Sequence, residues 1–341
     1  MRRTSTITTG TIATSTTGAA LALILAAGIA LAPAKADDSM SLTLMKDWSP
    51  HGMHAPFYLA QAKGWFKEAG VTVKIVDGKG SASTVGLVGA GQADIGHASL
   101  SVMALARNKG LPVTAIGSIL RTNEVGVIFS KGKPYKGPKD FKGTTLVYTS
   151  GSIEAPFIDT FLAQGGLKRS DVNLLAVAAS AKIATYLSGR GDGVIGPVPF
   201  FLAIAAKKRP SGFVGFAENG LPMLSWGIVA NDEAIAEKPK ALKAFMSALA
   251  RSWKHILDGG LDEAVQAMID QRPKARVSMV VGKLIFNAYR PYFFSPTTKG
   301  KPMGYMSAKD WEDTVKTLKS LGRVKASMKT TDFYNASFMP R

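Results

Sequence analysis

Short strand patterns alternate with helix patterns along the first part of this chain, and that alternation limits the folds it can adopt. Strand patterns end near residues 45, 76, 96 and 116, and helix patterns over 54–63, 82–90 and 99–109 separate them. Strands that alternate with helices build parallel sheets from βαβ units. The sequence therefore predicts an open, mostly parallel α/β sheet.

A second round of alternation begins with an apolar strand over 125–130 and runs to about residue 216, and another apolar strand, 226–230, follows it. Two such strands around a self-contained block indicate one lobe inserted into another, with both crossings acting as a hinge. The predicted organisation is a signal segment over 1–36, a first lobe over 37–123, an inserted lobe over 124–225, and a return to the first lobe with C-terminal helices over 226–341. Two consecutive domains are the alternative.

The N-terminus has the pattern of a cleavable export signal. Arg2 and Arg3 precede an apolar run over 19–31, and Ala34-Lys35-Ala36 is a small-x-small cleavage site before Asp37. A run of 13 apolar residues is too short to span a bilayer comfortably, which argues against the alternative of a membrane anchor. We therefore expect a mature protein in the periplasm.

Composition excludes several kinds of site. The chain has no cysteine and four histidines, so we expect no disulfide, no thiolate nucleophile, no lipid-modified cysteine and no metal site. The mature chain would keep 39 of the 42 basic side chains against 24 acidic ones, a net charge of +15. These basic residues are dispersed and are not interleaved with aromatic residues, so we expect no nucleic-acid partner.

Polar and aromatic side chains follow the predicted strands at the points where each strand ends. The carboxyl ends of parallel strands meet at one edge of a sheet, and open α/β sheets bind ligands there. Helices that begin at this edge add free backbone N–H groups for an anionic or carbonyl group. The candidate ligand-binding residues are Asp47, Trp48, His54, Ser81, His97 and Ser99 in the first lobe, and Tyr148, Ser152, Glu154 and Pro197 in the inserted lobe.

The chain resembles the NMT1/THI5-like group of periplasmic solute-binding proteins, which contains nitrate-, sulfonate-, taurine- and thiamin-pyrimidine-binding proteins. The resemblance rests on Asp47-Trp48 with His54, on the segment 57–66 (FYLAQAKGWF), on 89–96 (GAGQADIG) and on 109–113 (KGLPV). It implies a type II periplasmic-binding-protein fold, in which two α/β lobes joined by a two-strand hinge close on one ligand. It also implies a monomer that serves a membrane permease and an ATPase of an ABC importer, without a cofactor.

The resemblance also suggests roles for two residues. In the pyrimidine binders an aromatic residue at the place of Trp48 stacks on the ligand ring, and an acid near Glu154 pairs with an aminopyrimidine. A carboxylate suits a ring N–H beside an exocyclic amine. The alternatives are that Trp48 packs the edge of its lobe, that Glu154 is a first-turn residue favoured by the helix dipole, and that His54 is a capping residue.

We therefore expect a receptor for a small planar or anionic solute, with a thiamin-pyrimidine-like heterocycle favoured. An alkyl or aryl sulfonate, nitrate or an aromatic carboxylate is the alternative ligand. An exported enzyme related to the pyrimidine synthases is the alternative of another class. The yeast-type synthases use a cysteine-containing glycine loop, and a chain without cysteine cannot supply it. No Gly-x-Ser-x-Gly elbow appears either, so we expect no catalysis.

Overall fold

The computed structural model describes residues 40–340. The predicted export signal and its cleavage site lie outside these residues, so the structure says nothing about them. The described residues form one compact unit. Within the described part of the chain, every helix is too short or too polar to cross a membrane.

Two five-stranded sheets form the centre of the molecule. The strands are β1 (Ser41–Met45), β2 (Thr72–Val76), β3 (Ile95–Ser99), β4 (Val113–Ser118), β5 (Val125–Ser130), β6 (Thr145–Tyr148), β7 (Asn173–Ala176), β8 (Gly193–Pro197), β9 (Ser211–Gly215) and β10 (Trp226–Asn231). The first sheet has the order β2-β1-β3-β10-β4, and the second has the order β7-β6-β8-β5-β9. We call the layers built on them the first lobe and the second lobe.

The two sheets share one topology. In each, three parallel strands (β2-β1-β3 or β7-β6-β8) are followed by a strand that runs antiparallel to its neighbour, β10 in the first sheet and β5 in the second. The parallel strands bring their carboxyl ends to one edge of each sheet. Those edges carry the residues of the candidate site.

Twelve α-helices cover the sheets and form the C-terminal part of the described chain. They are α1 (Ala55–Ala62), α2 (Trp65–Glu68), α3 (Ser81–Gly89), α4 (Leu100–Asn108), α5 (Ile158–Gln164), α6 (Ala179–Leu187), α7 (Val198–Ala205), α8 (Asp232–Glu237), α9 (Pro239–His255), α10 (Leu261–Gln271), α11 (Met279–Ala288) and α12 (Ala308–Ser320). The predicted apolar stripe of α9 is core: Leu242, Phe245 and Trp253 are almost fully buried.

The chain passes between the sheets in two short segments, 119–124 and 221–225. These crossings lie side by side, because the backbone N–H of Ser225 donates to the carbonyl of Leu120 (3.2 Å) and that of Leu120 donates to the carbonyl of Trp226 (2.8 Å). A pair of adjacent crossings is the usual construction of a hinge.

One predicted helix begins later than its sequence pattern indicates. The pattern over 153–163 predicts one helix, but α5 starts at Ile158, and a 3-10 turn over Ala155–Phe157 precedes it. Pro156 lies inside that turn, and a proline disfavours the α conformation in the residue before it. Glu154 is the residue that precedes this 3-10 turn, and its side chain makes no capping hydrogen bond to it.

Candidate functional site

A cavity lies between the two lobes, with about 450 Å³ of empty space that includes its opening to solvent. Its walls come from both lobes, and they combine a few polar groups with aromatic and aliphatic side chains. The lining residues are Asp47, Trp48, His51, Gly80, Ser81, Ser152, Ile153, Glu154, Lys182, Ile183, Pro197, Phe200, Phe201, Trp226 and Tyr289.

Six of the ten residues proposed from the sequence lie on this cavity. They are Asp47, Trp48, Ser81, Ser152, Glu154 and Pro197. Each follows or ends a strand, and the shared edge of parallel strands explains why they meet.

The other four residues lie away from the cavity surface. His54 and His97 are fully buried behind Asp47. Ser99 caps α4, since its hydroxyl oxygen accepts a hydrogen bond from the backbone N–H of Val102 (3.3 Å). Tyr148 lies partly exposed at the end of β6 beside Arg169, whose guanidinium donates to its hydroxyl (3.1 Å).

Asp47 is the centre of a buried hydrogen-bond network at the end of β1. Its Oδ1 accepts hydrogen bonds from His54 Nε2 (2.8 Å) and His97 Nδ1 (2.9 Å). The backbone N–H of His51 donates to His54 Nδ1 (3.3 Å), so the hydrogen of that neutral ring is on Nε2. The network fixes the end of the strand and therefore the position of Trp48, the next residue.

Burial and hydrogen bonding shift the pKa values in this network in a consistent way. Burial alone would raise the pKa of Asp47, but the bonds from His54 and His97 hold it well below its usual range. Burial lowers the pKa of His51 to about 4 against the attraction of Asp47. Burial and the neighbouring His51 hold the pKa of His54 well below its normal value. At neutral pH the aspartate is therefore ionised while His51 and His54 are neutral.

Asp47, His51 and His54 lie close enough together to be considered as a metal site. Their hydrogen bonds argue against that use. A metal ligand needs a lone pair, but His54 Nε2 carries the hydrogen that it donates to Asp47. Moving this hydrogen to Nδ1 would place it against the backbone N–H of His51. The cluster fits a hydrogen-bonded support better than a cation site.

Aromatic rings form one side of the cavity. His51, Trp226 and Tyr289 lie in sequence, with ring centroids 5.8 Å and 5.1 Å apart, and Phe200 of the second lobe meets His51 at 5.4 Å. We call these four residues the aromatic wall. Trp48 is not part of this wall. It borders both this cavity and a neighbouring recess. Flat rings at these positions favour a flat ligand.

The second lobe contributes one buried ion pair. Glu154 Oε1 accepts a hydrogen bond from Lys182 on α6, and both side chains are almost fully buried. Burial lowers the pKa of Lys182, and the attraction of Glu154 opposes that shift. Among residues 40–340, Glu154 Oε2 finds no hydrogen-bond partner. One carboxylate oxygen is thus held by the lysine, and the other is free to accept a hydrogen bond.

The two lobes also touch through their backbones beside the cavity. The N–H of Ser83, in the first turn of α3, donates to the carbonyl of Gly151 in the second lobe (3.1 Å). Gly80 makes this approach possible, since a Cβ there would lie 2.1 Å from the Gly151 carbonyl oxygen. Its φ of +135° also favours glycine.

Several lining residues were missed from the sequence. From the sequence, Lys182 looks like an ordinary lysine of α6, and Phe200 and Phe201 look like the core face of another helix, α7. Tyr289 lies more than 230 residues from Trp48, and only the fold brings the two together. Trp226 begins the strand predicted over 226–230. Its position at the predicted hinge is the sequence feature that could have identified it as a cavity residue.

Comparison with known proteins adds a family and a fold. The model of the family described as NMT1/THI5 like matches residues 51–259. The formylaminopyrimidine-binding protein of Halalkalibacterium halodurans is 23% identical over 301 residues, which cover 86% of this chain and 90% of that protein. The 4-amino-5-hydroxymethyl-2-methylpyrimidine phosphate synthase THI13 of Saccharomyces cerevisiae is 27% identical over 251 residues, 68% of this chain and 72% of the yeast protein.

Among solved structures, the periplasmic aliphatic sulphonate binding protein SsuA from Escherichia coli superposes with a TM-score of 0.65 at 12% sequence identity. The match covers 87% of this chain and 93% of that protein. Such a likeness shows the fold: the two lobes form the type II periplasmic-binding-protein architecture.

Proposed function

Because the chain belongs to the NMT1/THI5-like family, we propose that it is a ligand-binding receptor that captures a small planar nitrogen heterocycle between its two lobes. The observation that carries this proposal is the lining of the cavity, which combines flat aromatic side chains with a buried carboxylate, Glu154, that has one oxygen free. Such a site suits a ring that stacks through its faces and donates hydrogen bonds from its edge.

The charges on the cavity favour this ligand class over anions. Lys182 is the only cationic side chain among the described lining residues, and Glu154 already neutralises it. Asp47 adds a second carboxylate, while burial keeps His51 neutral at pH 7. A nitrate or sulfonate would enter a site with no unpaired positive side chain, and a buried charge without a partner is costly.

An aminopyrimidine fits the free carboxylate oxygen. An exocyclic amine and a protonated ring nitrogen offer adjacent N–H donors, and Glu154 Oε2 is an acceptor in need of one. The name of the formylaminopyrimidine-binding relative agrees with this ligand class. The proposed binding residues are Trp48, Ser81, Ser152 and Glu154 at the cavity, with Asp47 holding Trp48 in position.

The proposed setting is the periplasm, reached through the N-terminal export signal. There the receptor would deliver its solute to a membrane permease driven by an ATPase. The two-lobe fold with adjacent crossings supports this role, because closure of the lobes on a ligand creates a surface that a transporter can distinguish from the open form.

The relatives named as pyrimidine phosphate synthases make an enzyme the second candidate. The chain has no cysteine for the glycine loop of the yeast-type synthases. Glu154 and Lys182 neutralise each other, so neither is free to act as a base or a nucleophile. We therefore favour binding without turnover.

The proposal can be tested by isothermal titration calorimetry of the protein lacking residues 1–36. The titrants are 4-amino-5-hydroxymethyl-2-methylpyrimidine, the sulfonate MOPS, and nitrate. We expect binding of the pyrimidine alone, with the pyrimidine recovered unchanged after incubation. Trp48→Ala should weaken it by about 1–3 kcal/mol, the usual range for loss of one stacking partner. Phe213→Ala, at an exposed position of β9 outside the cavity, is the matched control. Tighter binding of either anion would contradict the proposal, and chemical conversion of the pyrimidine would establish the enzyme.

A further inference from the structure

The aromatic wall contains one imidazole ring, that of His51, which lines the cavity. The residue lies between β1 and a 3-10 turn over Gly52–His54, and it is 5% exposed. Within residues 40–340, its Nδ1 is buried and finds no hydrogen-bond partner. Folded proteins pair nearly all their buried polar atoms, so an unpaired nitrogen on a cavity-lining ring indicates a partner that enters the cavity.

The side chains packed around this ring cannot supply the partner. The ring of His54 lies 4.0 Å away, but its Nδ1 accepts from the backbone N–H of His51 and its Nε2 donates to Asp47. The next rings are those of Phe200 and Trp226, with centroids at 5.4 Å and 5.8 Å. A phenyl ring has no donor or acceptor, and an indole has a donor only. What remains is the cavity itself.

The position of His51 links this unpaired nitrogen to closure of the lobes. His51 belongs to the first lobe and Phe200 to α7 of the second lobe, so the contact between their rings joins the two lobes beside the cavity. Opening of the lobes would expose the imidazole to water, and closing would bury it again without a partner. A ligand that pairs with the imidazole removes that cost.

We propose that His51 is a specificity-determining residue of the cavity, which donates a hydrogen bond from its imidazole to a ring nitrogen of the ligand while Glu154 of the second lobe accepts from the opposite edge of the same ring. The inference rests on the proposed function, because it places the heterocycle in the same cavity. It adds that the ligand has an unprotonated ring nitrogen away from its amino group, as N1 of a 4-aminopyrimidine is.

The charge state of the imidazole agrees with this role. Burial lowers the pKa of His51 to about 4, although the charge of Asp47 opposes the shift. A neutral imidazole carries one N–H, and an unprotonated ring nitrogen is an acceptor for it. The two carboxylates on the cavity, Asp47 and Glu154, can only accept while they are ionised. His51 therefore offers a neutral donor to a ligand that presents both donors and an acceptor.

Two ligands that differ by one ring nitrogen test this assignment: 4-amino-5-hydroxymethyl-2-methylpyrimidine and 2-amino-3-hydroxymethyl-6-methylpyridine, which has C–H in place of N1. Both keep an amino group beside a ring nitrogen for Glu154. The ratio of the pyridine Kd to the pyrimidine Kd should be about tenfold higher in wild type than in His51→Leu, the size of one net hydrogen bond. The ligands also differ in basicity, but that difference is common to both proteins and cancels.

Conservative variants separate the donor from the shape of the side chain. His51→Asn and His51→Gln carry amide N–H groups near the places of Nδ1 and Nε2, so at least one of them should keep most of the wild-type ratio. His255→Leu, at the surface end of α9 and outside the cavity, is the matched control and should keep the full ratio. An unchanged ratio in His51→Leu, or an equal loss in all three His51 variants, would overturn the donor role.

Nitrogen NMR of the wild-type protein gives a readout that depends on no variant's affinity. The chain has four histidines, so ¹⁵N-histidine labelling gives few ring signals, and the loss of one set in His51→Gln assigns His51. Saturation with ¹⁵N-labelled pyrimidine should shift these signals and show coupling across the N–H···N bond. Unchanged His51 signals in the saturated complex would overturn the inference. If the pyrimidine does not bind wild type, the proposed ligand class is wrong as well, whereas binding with equal ratios removes only the role of His51.

Discussion

The two lobes share one strand order, yet they present different surfaces to the cavity between them. The first lobe lines the cavity with the rings of His51, Trp226 and Tyr289, and behind them Asp47 is bonded to His54 and His97 in a polar support. The second lobe presents aliphatic and aromatic side chains around one ion pair, Glu154 with Lys182. The same strand order therefore supports two different surfaces at the cavity.

This difference separates two tasks. The network of the first lobe is complete without a ligand at Asp47 Oδ1, so it can hold Trp48 and His51 in place before binding. The ion pair of the second lobe leaves Glu154 Oε2 without a partner in the described structure, so it can respond to the ligand. The network of the first lobe thus positions Trp48, and the second lobe offers a free carboxylate oxygen to a donor group.

The largest expected effect comes from breaking the ion pair of the second lobe. Lys182→Met leaves the carboxylate of Glu154 buried without its cation, and such a change typically costs about 3–5 kcal/mol of folding free energy. Chemical denaturation at pH 7 measures it. The second lobe should unfold more readily, which hydrogen exchange of β6 and β8 would locate.

The double variant Glu154→Gln/Lys182→Met is the control for this prediction. It removes both charges, so most of the stability should return, although the ligand site loses its carboxylate. A single variant as stable as wild type would show that the pair is hydrated in solution, and the contrast between the two lobes would then disappear.

Much of the fold could be predicted from the sequence, because hydrophobic periodicity and turn residues act locally. β5 has the bounds that its pattern over 125–130 predicts. The strand pattern over 145–148 and the helix pattern over 308–320 likewise match β6 and α12. Asparagine is a typical N-cap residue, and Asn231 caps α8, with its side-chain oxygen accepting from the N–H of Glu233 (2.8 Å). The start of α5 was wrong because Pro156 outweighed the helix pattern. The proposed domain boundaries remain a prediction.

The site was predictable only where it follows strand ends. Asp47, Trp48 and Glu154 come directly after or close to strands, so the rule for parallel sheets places them at the cavity. Lys182 is 28 residues from Glu154, and no local pattern links the two. His54 and His97 lie close to the cavity, as their positions near strand ends predict. Whether an imidazole faces a ligand or a carboxylate depends on its side-chain orientation, which cannot be predicted from the sequence. Their role in binding stays a prediction.

The next expected effect is a pH dependence that belongs to the first lobe. The folded protein holds the pKa of His51 at about 4, below its ordinary value of 6.5, because the ring is buried. As pH falls from about 6.5 to 4, the unfolded chain takes up a proton that the folded protein does not, so stability is lost. For His51 alone this amounts to roughly 2–3 kcal/mol.

Denaturation of wild type and His51→Gln between pH 4 and pH 7.5 isolates that contribution. The difference in unfolding free energy between the two proteins should shift in favour of the variant as the pH falls. Glu124 acts in the opposite direction, since its raised pKa makes stability fall as pH rises from 4.5 to about 7, but it is present in both proteins and cancels. A difference that does not change with pH would show that His51 is accessible to solvent.

The smallest expected effect concerns the contact between the lobes. Ser83→Pro removes the N–H that donates to the Gly151 carbonyl, and a proline is tolerated in the first turn of α3 because this N–H has no partner within the helix. One neutral hydrogen bond contributes about 1 kcal/mol, and the proline Cδ would also crowd the Gly151 oxygen, so the closed arrangement should lose at least that much and ligand affinity should fall. Small-angle scattering should show a larger population of open molecules.

Lys240→Pro, in the first turn of α9 on an exposed surface, controls for the proline itself. If both variants keep wild-type affinity and compactness, the hydrogen bond between Ser83 and Gly151 forms as a result of closure and does not stabilise it. The residues that line the cavity would then be what holds the two lobes together.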